Sequence, residues 1–149
     1  SNSWFDPYGQ HPVTPTDMTG HGTWTMGILL GGDAGGTSIG VAPGAQWIAA
    51  KIFNDQGAST VTAIHQAYQW LLDPDGNPNT SDAPQVVNNS WSFANPGCNL
   101  TFEPDLQALV SAGILPVFAA GKGGPGSGTG YRPPNNPPAF SGGRRAKGD

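Results

Sequence analysis

Apolar and polar positions along this chain alternate between two periods. Residues 45–53, Ala-Gln-Trp-Ile-Ala-Ala-Lys-Ile-Phe, form a short, nearly continuous apolar run, as expected of a strand covered on both faces. Val61, Ile64, Tyr68, Leu71 and Leu72 then recur at helical spacing. Ser59 or Thr60 is placed to cap that helix, and Asp73-Pro74 ends it. Residues 85–90 predict a second strand. Glu103-Pro104-Asp105 opens a second helix, with acid and proline in its first turn, and turns Leu106, Leu109 and Val110 inward. Gly113 stops it, and residues 114–120 predict a third strand. Strand, helix, strand, helix, strand implies right-handed crossovers and an α/β fold on a parallel sheet. In open sheets of this kind ligands bind at the carboxyl ends of the strands. Here those ends are Asn88 to Ser92 and Ala119 to Lys122.

Composition sharpens the boundaries. Of 149 residues, 23 are Gly and 15 are Pro, a fraction that makes disorder a live option. Five Trp, six Phe and three Tyr supply anchors for a core and argue against it. Gly and Pro crowd into the last 29 positions, and charge divides at the same place. Nine acidic residues and one basic residue (Lys51) precede Lys122, whereas five basic and one acidic run from it to the end. An acidic folded body at 1–124 and a Gly/Pro-rich, basic, poorly ordered tail at 125–149 follow. An acidic body disfavours nucleic acid as a partner, and no apolar run is long enough to span a bilayer. The first ten residues lack the layout of a signal peptide. The lone Cys98 allows no internal disulfide and reads as structural.

Two stretches carry candidate chemistry. In Asp73-Pro-Asp-Gly-Asn-Pro-Asn79, oxygen ligands at Asp73, Asp75, Asn77 and Asn79 fit the first half of a calcium loop. Pro78 stands where an EF-hand needs Gly, and Pro84 where it needs its bidentate Glu. The loop reads as a surface turn or as an irregular, structural Ca²⁺ site. His21 lies between Gly20 and Gly22 at an expected helix start, ahead of Ile28-Leu29-Leu30. Small neighbours leave its imidazole uncovered, as a general base requires. His11 and His65 read as ordinary solvated residues.

Four segments, in order, resemble the subtilisin-like serine peptidases, in particular the bacillopeptidase F branch. Gly20-His21-Gly22-Thr23 with Gly27 is similar to the catalytic-histidine motif, and Trp24 replaces the second His of most members. Gly40-Val-Ala-Pro-Gly-Ala45 resembles the segment that follows it. Asn89-Ser90-Trp91-Ser92 looks like the substrate-binding strand end, and Ala119-Ala120-Gly121-Lys122 like the oxyanion turn, usually A-A-G-N. The resemblance implies a partial three-layer subtilisin-like fold, its parallel sheet flanked by helices. It also implies endopeptidase activity on extended peptide or protein substrates without a required cofactor, and an extracellular location. It assigns His21 as general base and Lys122 to the oxyanion position. Ser90, Trp91, Ser92, Ala119, Ala120 and Gly121 become pocket walls, although Trp91 reads equally well as a core aromatic.

The departures are as informative. The family's aspartate turn, D-[ST]-G after an apolar strand, has no counterpart at Asp6 or Asp17. Asp33 lies on the wrong side of His21, and the serine motif G-T-S-x-A-x-P is absent, with Ser38, Ser127 and Ser141 wrongly flanked. The expectation is a fragment that is inactive alone; the alternative is a non-catalytic peptide-binding module or a degenerate remnant. Nucleotide binding fails on its motifs, because Pro116 and Gly123 break the phosphate-loop pattern and Gly126, Gly128 and Gly130 open no helix.

Overall fold

A computed structural model describes residues 3–32, 34–35, 37–93, 100–120 and 140–142. The chain divides into two compact units. One comprises Ser1–Trp70 with Pro74–Asn77, the other Leu71–Asp73 with Pro78–Asp149.

In the first unit, β1 (Trp4–Phe5) lies parallel to β2 (Ala49–Ala50), in the register Trp4 to Ala49 and Phe5 to Ala50. Lys51 N–H donates to Phe5 C=O at 2.8 Å and extends the ladder by one bond. The run predicted as a strand over 45–53 therefore pairs only near its middle. Its expected two-sided cover is also corrected: Ala49 and Ala50 are half-buried, and Trp47 and Phe53 are exposed. Its two-residue partner leaves the rest of the run without a ladder.

Helix α1 (His21–Leu30) starts after Gly20, whose φ of 79° is left-handed and natural only to glycine. The chain then returns across the helix end. Gly40, Val41 and Ala42 N–H groups donate to the carbonyls of Gly31, Ile28 and Leu29, so the last turn's free acceptors are used. A Cβ on Gly40 would stand 2.6 Å from the carbonyl carbon of Leu30, so that return requires glycine. No residue of α1 is buried, although Trp24, Ile28 and Leu29 are apolar.

Helix α2 (Val61–Leu72) begins where predicted. Thr60 Oγ1 accepts from Ala63 N–H at 3.1 Å, which decides the cap for Thr60, while Ser59 instead donates its hydroxyl to Ile52 C=O. Ala63, Ile64, Ala67 and Tyr68 are buried, and Val61 at the helix edge is exposed. Phe5 stacks on Trp70 at 5.5 Å between ring centroids, and Trp70 Nε1 donates to Pro74 C=O beyond the helix end.

In the second unit, β3 (Val86–Asn89), β4 (Leu115–Ala119) and β5 (Phe140–Gly142) form one parallel sheet in that spatial order. β5 falls inside segment 125–149, read from composition as a tail; the rest of that segment is outside the described residues. The crossover from β3 to β4 is α3 (Glu103–Ser111), whose first turn holds Glu103, Pro104 and Asp105. Phe102, Leu106 and Leu109 are buried, whereas Val110, expected inward, is exposed. At 100° per residue the three buried positions share an arc of about 60°, and Val110 lies about 40° beyond its edge. Gly113, at φ 82°, turns the chain into Ile114, whose N–H bonds Leu109 C=O at 2.9 Å.

Candidate functional site

His21 is the first residue of α1 and is exposed. Asp17 is hydrogen-bonded to residues on both sides of it. Asp17 Oδ2 accepts from Thr23 N–H at 2.7 Å and Thr23 Oγ1 at 2.9 Å. Oδ1 accepts from Gly20 N–H at 2.9 Å and from Thr19 N–H and Oγ1 at 3.1 Å each. Desolvation raises the pKa of this carboxyl, but the bonds from Thr23, Gly20 and Thr19 outweigh it and hold the group well below the usual carboxylate range. Asp6 does not stand free either: its oxygens accept the N–H groups of Tyr8 at 2.9 Å and His11 at 2.6 Å.

Beside this loop sits a charged cluster. Lys51, the lone lysine or arginine before Lys122, is buried, with Nζ 3.1 Å from Asp55 Oδ1 and 3.5 Å from Thr16 C=O. His11 Nε2 reaches Asp55 Oδ2 at 2.9 Å, so His11 has a carboxylate partner and not merely solvent. Hydrogen bonding from His11, opposed by desolvation and reinforced by Lys51, lowers the pKa of Asp55. An open groove of about 360 Å³ lies along α1, lined by Met26, Leu30, Pro43 and Trp47 among others. His21 is not among its lining residues.

In the second unit, the ends of β3 and β4 are neighbours, with Asn89 opposite Phe118. Asn89 is buried and polar, and its groups are used. Nδ2 donates to the carbonyls of Val87 at 3.2 Å and Val117 at 3.4 Å, and Oδ1 accepts from Trp91 Nε1 at 3.2 Å. Trp91 meets Phe93, Phe102 and Phe118 edge-on, with ring centroids 5.9 to 6.0 Å away. Its ring thus belongs to an aromatic cluster whose other members carried no sequence signal beyond being aromatic. Ser90 and Ala120 are half-buried, and Ser92 and Ala119 exposed, at the two strand ends. Gly121, Lys122, Cys98 and Asp33 lie outside the described residues.

For a metal, Asp73 and Asp82 offer carboxylate oxygens within 4.8 Å of each other, and each keeps one buried oxygen with no hydrogen-bond partner. Such a pair suits a hard cation. Of the predicted oxygen donors, Asp73 has this character. Asp75 instead accepts Asn77 N–H at 2.8 Å in a local turn, and Asn79 is exposed. Asp82 was missed because it falls outside the regular spacing. Among the described residues no helix is long and apolar enough to cross a membrane.

Residues 2–140 match the subtilase family. Bacillopeptidase F of Bacillus subtilis (strain 168) is 39% identical over 149 aligned residues, covering 93% of this chain and 10% of that protein. Subtilisin Savinase of Lederbergia lenta is 32% identical over 111 residues, covering 74% of this chain and 38% of its own. The chain therefore spans well under half the length of these relatives. Among solved structures, the S41 psychrophilic protease superposes with a TM-score of 0.72 at 28% identity, covering 89% of this chain and 44% of that one. A cold-adapted subtilisin-like serine proteinase shares the fold, with a TM-score of 0.69 at 18% identity, covering 93% of this chain and 46% of that one.

Proposed function

This chain belongs to the subtilase family, and from that premise we propose that it is the central portion of a secreted serine endopeptidase. It supplies the general base and the substrate-binding strand ends. The observation that carries this is His21, exposed at the first residue of a helix inside Gly-His-Gly-Thr. In that role the imidazole accepts the proton of the nucleophilic serine and returns it to the leaving amine. An extended peptide adds backbone pairing along Ser90 to Ser92, with Ala119 and Ala120 forming the opposite wall. Lys122 takes the oxyanion position, where its long stem aims a donor less firmly than a short amide.

The serine and aspartate come from segments that these 149 residues do not contain, since neither motif is present. The uncovered apolar α1 supports the same reading, because an apolar helix with no buried residue asks for more protein over it. The chemistry requires no cofactor, and any calcium at Asp73 and Asp82 concerns the stability of their loop. Reading the coding sequence on both sides tests the proposal. An in-frame D-[ST]-G upstream and G-T-S-x-A-x-P downstream are expected; stop codons at both borders would overturn it. The alternative, a non-catalytic module, predicts peptide affinity that survives His21→Ala.

A further inference from the structure

We infer that Asp17 is a positioning residue for His21, a role that rests on reading His21 as the general base. The helix that presents His21 has a glycine at its cap, and Gly20 has no side chain with which to bind the free N–H groups of the first turn. Asp17, three residues earlier, fills that place from outside the helix. One carboxylate oxygen holds Thr23 through both its N–H and its hydroxyl, two residues after His21. The other holds Gly20 N–H immediately before His21, and Thr19 besides.

His21 is thus clamped from both sides by one anion that the helix dipole also favours. Gly22 completes the arrangement: a Cβ there would stand 3.4 Å from Asp17 Oδ2, so the carboxylate lies against bare backbone. The far end of α1 is tied through Gly40, Val41 and Ala42, but none of the helix's residues is buried, so the clamp is what fixes its first turn. Charge-assisted bonds of this kind are short and directional, which suits holding a base in one geometry.

Two measurements on Asp17→Ala and Asp17→Asn test this. In the 149-residue chain, NMR relaxation is expected to show lower order at residues 20–23 in Asp17→Ala, while the order of α2 is unchanged. Asp17→Asn, which still offers one acceptor oxygen, should fall between Asp17→Ala and wild type. Unchanged order at residues 20–23 in Asp17→Ala would overturn the inference. In the peptidase containing this segment, Asp17→Ala should lower kcat by about 10- to 100-fold with KM unchanged, and Asp17→Asn should recover part of it. Equal kcat in wild type and Asp17→Ala would overturn it, as would a parallel change in KM. A wild-type peptidase without any turnover would instead count against the reading of His21 as base, and the relaxation data would still decide the clamp.

Discussion

Lys51 holds its ammonium 3.1 Å from Oδ1 of Asp55, with only 6% of the lysine side chain exposed. The same carboxylate meets His11 Nε2, so one anion serves two nitrogen groups that the chain brings from 40 residues apart. The pair ties the loop after β1 to the segment after β2. Removing its anion leaves the ammonium buried with Thr16 C=O at 3.5 Å. Asp55→Ala should therefore lower the thermal midpoint of the chain more than Asp75→Ala, a change on an exposed turn, as read by calorimetry.

Acid should act through the same groups. Asp17 and Asp55 both titrate below the ordinary value of 3.8 in the folded chain. A depressed carboxyl contributes stability that is present above its unfolded value and is lost as pH falls through its folded one. Stability set by these two groups should hold from neutrality down to about pH 4 and decline below it. Urea midpoints measured between pH 6 and pH 2 check this, and Asp55→Asn should flatten part of the decline.

Asn89 offers a sharper test in the second unit. Its amide joins the carbonyls of β3 and β4 to the indole of Trp91. Asn89→Leu removes these bonds and leaves the Trp91 N–H without its acceptor, at a cost of about 1–3 kcal/mol. Denaturant unfolding measures the loss, and a red shift of tryptophan emission should accompany it.

Leu106 and Leu109 are both fully buried on α3. Leu106→Ala should destabilise by about 2–5 kcal/mol, and Val110→Ala, on an exposed position, by well under 1. A reversed order in chemical denaturation would contradict the assigned face of α3.

These contrasts show how much of the molecule was legible in its residues. α2, α3, β3 and β4 were readable because each has a period, a cap or stop residue, and a covered face. β1 was not, since Trp4–Phe5 is two residues long and is a strand only through its bonds to the segment around Ala49 and Ala50. Val110 was misplaced because a helix stripe read from spacing is wider than the face that one sheet covers. His21 was legible through its glycines, while Asp17 was not. Its role depends on five donors converging in space, and the sequence signal, an acid before a helix start with Thr19 and Thr23 nearby, is common to many turns.

The role proposed for His21 is that of general base in a subtilase assembled around this segment. Turnover of a chromogenic peptide tests it most directly, compared between the peptidase containing the segment, its His21→Ala variant and the 149-residue chain alone. Hydrolysis is expected of the first, a fall of about 10²–10⁴-fold in kcat of the second, and none of the third. Hydrolysis undiminished by His21→Ala would contradict it.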